Sequence, residues 1–153
     1  MENWKKWTLV GLGAAWWAQR HREQPLGNPQ MACPRPTQDL KLNTRNRNKA
    51  IKAPYIQYGP LNLADNKYWQ RIARHWNTSL KVAKKSLCGN CVAFDVSPRM
   101  EDCMPGPVSD QDGRLGYCHM HHFKCHSART CYTWAAGGPI KKNKISYEWQ
   151  HKD

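Results

Sequence analysis

Within residues 61–86 the apolar positions Trp69, Ile72, Ala73, Trp76, Leu80 and Ala83 recur three and four residues apart, the period of a helix with one buried face. Asp65 stands where a cap belongs, and Lys67, Arg71, Arg74, Lys81, Lys84 and Lys85 fill the other faces. Asn77-Thr78-Ser79 is poor helix material, so a break can fall there. A second apolar stretch, Trp7 to Ala18, lies in residues 1–22 between Lys5-Lys6 and Arg20-His21-Arg22. Its 12 residues fall short of the roughly 20 that span a bilayer, and no small-x-small cleavage site precedes the basic cluster. It predicts a short helix anchored by Trp4, Trp7, Trp16 and Trp17, berthed in a protein groove or, through residues 4–18, at a membrane interface. Residues 141–153 alternate Ile145, Tyr147 and Trp149, the pattern of an edge strand added to a partner.

Between these stretches the pattern dissolves. Residues 23–60 carry Pro25, Pro29, Pro34, Pro36, Pro54 and Pro60, a density that predicts an extended arm. Its segment Asn43 to Lys49 is polar and basic, suited to a solvated linker or to an arm lying along another subunit or a phosphate backbone. Cys33 stands alone in the arm and reads as a free thiol. Residues 88–140 carry the turn sequences Asp95-Val96-Ser97-Pro98 and Pro105-Gly106-Pro107.

That last region is instead organised by sulfur. Six of the seven cysteines fall in residues 88–131: Cys88, Cys91, Cys103, Cys118, Cys125 and Cys131. The first four are spaced C-x2-C-x11-C-x14-C. A C-x2-C turn points two thiolates at one centre, and two more from downstream loops complete a shell that zinc and iron–sulfur clusters both use. A disulfide framework and unpaired thiols are the alternatives. His119, His121, His122 and His126 crowd the same region, where they can bind zinc, replace a thiolate or simply form hydrogen bonds. Cys125 and Cys131 can close a local disulfide under oxidant. The acidic loop Ser109 to Gly113 lacks the ligand spacing and closing Glu of a calcium loop.

Charge separates the module from its flanks. The chain carries a formal net charge of +13. Residues 1–87 hold 16 Lys and Arg against 4 Asp and Glu, whereas residues 88–140 hold 4 against 5. Basic flanks around a near-neutral module suggest an acidic protein, a nucleic acid or an anionic surface as partner. Large aliphatic residues are few beside eight Trp, so aromatic packing and a bound cofactor must replace part of an aliphatic core. No phosphate-binding glycine loop, serine-nucleophile motif or paired carboxylates appear, and an enzyme is not expected.

Cys88-Gly89-Asn90-Cys91-Val92-Ala93-Phe94 resembles the opening of high-potential iron–sulfur proteins. Cys103-Met104-Pro105-Gly106-Pro107-Val108 resembles their third ligand with its Pro-Gly turn, and Gly116-Tyr117-Cys118 their Gly-aromatic-Cys fourth. The resemblance covers about a third of the chain and implies one 4Fe-4S cluster on Cys88, Cys91, Cys103 and Cys118, with zinc as the alternative occupant. It also implies aromatic screening, by Phe94, Tyr117 and Trp134 or Trp69. The segment Val108 to Gly116 is longer than the family's, and Met120 stands where it has an aromatic. Cys131-Tyr132-Thr133-Trp134 supplies that ending instead, which makes Cys131 an alternative fourth ligand.

The expected fold is a small, loop-rich α+β module over residues 61–140 with one preceding helix, plus an extended N-terminal arm with a short helix. Tyr55 through Ile140 also resembles small proteins of tailed marine phages that carry this cysteine pattern. The resemblances imply a structural subunit of a virion, its module stapled by the cluster and its arms bound to other protein subunits. A cytoplasmic electron carrier and a zinc-dependent nucleic-acid-binding module are the alternatives.

Overall fold

Asp65 begins the strongest helix as its position predicts, accepting from the backbone N–H of Lys67 and Tyr68. The computed structural model describes residues 32–63 and 65–152. All the described helices and strands belong to one compact unit, Cys33–Asp153. The expected Trp-anchored segment, with its membrane or groove contact through residues 4–18, lies outside the described residues. Among the described residues no helix is long and apolar enough to cross a membrane.

The elements in chain order are α1 (Arg35–Gln38), α2 (Leu40–Lys52), α3 (Asn66–His75), α4 (Leu80–Ala83), β1 (Phe94–Asp95), α5 (Pro98–Cys103), β2 (Ser109–Asp110), β3 (Gly113–Cys118), β4 (Phe123–His126) and α6 (Asn143–His151). A single 3-10 turn spans Cys88–Asn90. The fold is thus small α+β, with six α-helices and one four-stranded antiparallel sheet among the described residues. β3 is the hub. β4 runs along one edge of it, pairing Cys118 with Phe123 and Gly116 with Cys125. β1 and β2 share the opposite edge, end to end.

α3 ends where Asn77 adopts φ 54, a left-handed backbone that asparagine tolerates. Ser79 then caps α4 through Val82 N. Tyr68, Trp69, Ile72, Ala73 and Ala83 bury the predicted face in one cluster.

Three expectations require correction. Residues 35–38 and 40–52 of the supposed extended arm are helical, joined at the extended Asp39. Pro34 and Pro36 sit at the start of α1, where a missing N–H costs nothing, and Pro54 falls after the end of α2. No proline lies between Leu40 and Lys52, and Asp39 caps α2 through Leu42 N. Two asparagines of this stretch bond backbone elsewhere in the chain: Lys124 N donates to Asn43 Oδ1 at 2.8 Å, and Asn46 Nδ2 donates to the His122 carbonyl at 2.7 Å.

The expected C-terminal edge strand is also a helix, α6. A polar network docks it. Asp95, fully buried, accepts from His119 Nε2 at 2.7 Å and from the Ser146 hydroxyl. Arg99 donates to Ser146 Oγ at 2.8 Å and to Gln150 Oε1 at 2.7 Å, and stacks over Tyr147. Burial works to raise the Asp95 pKa, but hydrogen bonds from His119, Ser146 and Ser97 outweigh it and hold the carboxyl below its ordinary value. The three residue types of a hydrolytic triad meet here with the aspartate in the middle and all three side chains buried, an arrangement that fastens a helix.

Third, Cys33 is not a lone thiol: it is disulfide-bonded to Cys103, 70 residues away.

Candidate thiol-lined site

The C-G-N-C turn is fixed from three sides. Cys88 N donates to the Arg129 carbonyl at 2.7 Å and Gly89 N to that of Ser127 at 3.0 Å, tying the turn to the chain leaving β4. A Cβ on Gly89 would approach Ser127 at 3.1 Å, so this contact suits glycine. Asn90 Oδ1 accepts from Leu87 N at 3.1 Å and from Trp134 Nε1 at 2.9 Å, while its Nδ2 donates to the Lys85 carbonyl at 2.8 Å. The segment 135–138 crosses the turn, with Val92 N donating to the Ala135 carbonyl at 2.8 Å. Gly138 passes so close to the Cys91 carbonyl that no side chain fits there.

The sheet adds sulfur to the same place. Side chains alternate along β3, so Gly116 and Cys118 share one face while Tyr117 takes the other. Cross-strand pairing puts Phe123 and Cys125 on the face of Cys118. Phe94, opposite Cys118 on β1, packs against Gly116, where a Cβ would meet its ring at 2.5 Å.

Five thiols therefore converge. Cys88, Cys91, Cys118, Cys125 and Cys131 line one small cavity of about 20 Å³, walled otherwise by Phe94, Met120, Thr133 and Trp134. None of the five is in a disulfide. Burial pushes the Cys91 thiol up, while amide hydrogen bonds from Ala135 and Ala93 work the other way. Burial likewise pushes Cys131 up to about 12, against hydrogen bonding from Thr133, whose Oγ1 lies 3.2 Å from the sulfur. Cys125 is almost wholly enclosed and is raised well above its ordinary value, first by burial and then by the sulfurs of Cys118 and Cys88 beside it.

Cys103 does not belong to this group. It packs with Met100, Met104 and Tyr117 on the opposite face of β3, bridged to Cys33. This corrects the reading of Cys103 as a ligand: the sheet stands between its sulfur and the others. Tyr117 is corrected as a screening residue for the same reason, and Trp69 packs in the separate cluster of α3. Phe94 and Trp134 do line the cavity. Cys125, set aside in the sequence, lines it too; its spacing of two from Phe123 in a strand facing Cys118 was the signal.

The histidines stay outside. His119 bonds Asp95, His121 Nε2 is hydrogen-bonded to Thr133 Oγ1 at 2.6 Å, and His126 Nε2 donates to Asp110 at 2.9 Å while its Nδ1 accepts from Ala128 N. Neither His119, His121, His122 nor His126 lines the cavity. Among the described residues no three His, Cys, Asp or Glu side chains converge tightly enough to hold a single metal ion. The donors are all sulfur, in an apolar wall, which suits a thiophilic centre with some extent of its own. Compared with known proteins, the chain matches no family model, and no curated protein or solved structure is detectably similar.

Proposed function

We propose that the cavity holds a 4Fe-4S cluster on Cys88, Cys91, Cys118 and Cys131, and that the cluster-stapled module is a structural subunit of a larger protein assembly. The observation that carries this reading is the convergence of five thiols, none disulfide-bonded, on one apolar cavity. Sulfurs set around a space, rather than drawn to a point, suit a polynuclear centre better than one zinc ion. Amides of Ala93 and Ala135 at Cys91, and Thr133 at Cys131, supply the hydrogen bonds that stabilise ligand thiolates. Cys125 has only the neighbouring sulfurs of Cys118 and Cys88 to accompany its burial, so it is assigned the role of a neutral fifth thiol beside two ligands.

The thiols are part of the main core, with Ala93, Phe94 and Phe123. A centre bound here contributes its binding energy to folding, because the unfolded chain has no preformed site. When bound, such a cluster also supplies one-electron chemistry. The assembly role, with a phage virion as its setting, rests on the sequence: a strongly basic first half and a Trp-containing N-terminal stretch suited to neighbouring subunits.

Anaerobic purification with iron, acid-labile sulfide and zinc analysis tests the cofactor. Equal iron and sulfide, lost in Cys131→Ser and retained in Cys125→Ser, supports the assignment. Stoichiometric zinc without sulfide would replace the cluster by a zinc centre, and loss in Cys125→Ser with retention in Cys131→Ser would exchange those two roles. Co-purification of the full chain with other proteins of its source particle, against its recovery as a lone monomer, tests the assembly role.

A further inference from the structure

The two faces of α2 differ in chemistry. Inward, Asn43 and Ala50 are buried, and Asn43 and Asn46 bond the backbone of Lys124 and His122, which fixes the helix in rotation. Outward, Lys41, Arg45, Asn48 and Lys52 recur four, three and four residues apart and are all exposed, so they form one stripe along the helix. Arg47 and Lys49, also exposed, flank it. The 13 residues of α2 hold five Lys and Arg and no Asp or Glu. The side chains of Lys41, Arg45, Asn48 and Lys52 have no ion pair and no hydrogen-bond partner among the described residues.

This arrangement works against the helix that carries it. Lys41 stands in the first turn, where the helix dipole disfavours a cation. Lys41 and Arg45, and Arg45 and Lys49, are like charges one turn apart, and they repel. Interleaved acids would keep such a face soluble without that penalty. Their absence leaves a surface of one sign, suited to a polyanion. The positive surface continues past the end of α2. Ile51 borders a groove of about 500 Å³ whose other walls include Lys67 and Arg71 of α3 and Arg129. Arg71 lies over the Tyr68 ring and Arg129 over that of Tyr58, which orders both guanidinium groups. The groove's one acid, Asp65, is engaged in capping α3.

We propose that the outer face of α2 binds double-stranded DNA by lying in its major groove. A helix with its side chains is about 10–12 Å across, and the major groove of B-form DNA is about 12 Å wide. Lys41 and Lys52, at the ends of the stripe, take phosphates. Arg45 and Asn48, in its middle, reach base edges, since their forked donors and acceptors match guanine and adenine. Lys67, Arg71 and Arg129 meet phosphates outside the groove. An acidic protein would call only for the charges; the uncommitted Asn48 among them favours a partner with bases to read. None of these side chains lines the thiol cavity, so the surface is separate from the cluster reading.

The test titrates the purified full chain into a fluorescent DNA duplex of about 20 base pairs and follows anisotropy as salt is varied. Saturable binding at micromolar affinity or better is expected at about 0.1 M salt. Lys41→Gln/Arg45→Gln/Lys52→Gln should weaken it roughly a hundredfold and flatten the slope of log affinity against log salt by about 2–3. Lys141→Gln/Lys142→Gln/Lys144→Gln removes the same charge beside α6 and should change the affinity by no more than about threefold. Asn48→Ala should leave the salt slope unchanged and erase the preference for adenine at one position of duplexes enriched from a random pool. Unchanged amide spectra show that the variants are folded. No saturable binding, equal losses in the two triple variants, or tighter binding to polyglutamate or phosphatidylserine vesicles than to DNA would overturn the proposal. So would equal affinity for duplex RNA, whose major groove is too narrow to admit a helix.

Discussion

Two sulfur sites lie on opposite faces of β3, and they differ in almost every respect. On one face Cys103 is paired with Cys33, far away in the chain, among Met100, Met104 and Tyr117. On the other, five thiols from a tight turn, two strands and a loop share a cavity without any disulfide. One site closes a long loop by a covalent bond; the other offers an open shell of donors. The difference is made by strand alternation, since Tyr117 and Cys118 are neighbours in sequence and point to opposite sides. Cysteine spacing alone is blind to it. A disulfide and five clustered thiols in one small molecule are also chemically uneasy together, because conditions that keep the first threaten the second. On the proposed reading, a centre bound in the thiol cavity resolves that conflict.

The largest expected effect breaks the thiol side. On the proposed reading, in which cluster binding energy is folding energy, Cys88→Ser should abolish both the visible iron–sulfur absorbance and the cooperative unfolding transition. An intact transition by circular dichroism without the metal would show that the protein core stands without it.

Next comes the disulfide side. Cys33→Ser releases a closure across a sequence separation of 70 residues, for which loop entropy gives about 4 kcal/mol. Denaturant unfolding should show this loss while iron and sulfide stay unchanged. A similar, smaller cost falls on the turn itself. Gly138→Ala forces a methyl group against the Cys91 carbonyl and should cost about 1–3 kcal/mol, together with a weaker hold on the metal, measured by the rate of iron release to a chelator.

Acid sharpens the comparison more gently. The Asp95 carboxyl sits below its ordinary pKa, so the stability it gives to α6 is complete above the ordinary carboxylate range and is lost as pH falls through the lowered value. Asp95→Asn should flatten that part of the pH–stability curve. The smallest effect belongs to Thr133→Val, which removes a hydroxyl from Cys131 and a partner from His121. About 1 kcal/mol of stability should go, with a shift in any cluster's reduction potential by voltammetry.

Much of this was legible in the chain, and the rest was hidden for identifiable reasons. The face of α3, its Asp65 cap and the break at Asn77 followed from local pattern, and so did the turn that brings Cys88 and Cys91 together. Phe94 and Trp134 were correctly placed near the sulfurs. α1 and α2 were obscured because prolines were judged by density, when their positions at helix ends permit helix between them. α6 was obscured because Ile145, Tyr147 and Trp149 suggested alternation, whereas its buried contact is Ser146, a polar residue recruited by Asp95. The Cys33–Cys103 pair depends on tertiary closure and leaves no local trace. Cys125 looked surplus because its partner face is set by the register of β3 with β4, not by neighbours in sequence.

The most direct test of the two-site account is the iron and acid-labile sulfide content of the double variant Cys33→Ser/Cys103→Ser, purified anaerobically beside the unaltered chain. Equal iron and sulfide are expected in both, at the same stoichiometry per chain. Iron and sulfide in the unaltered chain with none in the double variant would put Cys103 back among the ligands, and none in either would empty the thiol cavity of the cluster altogether.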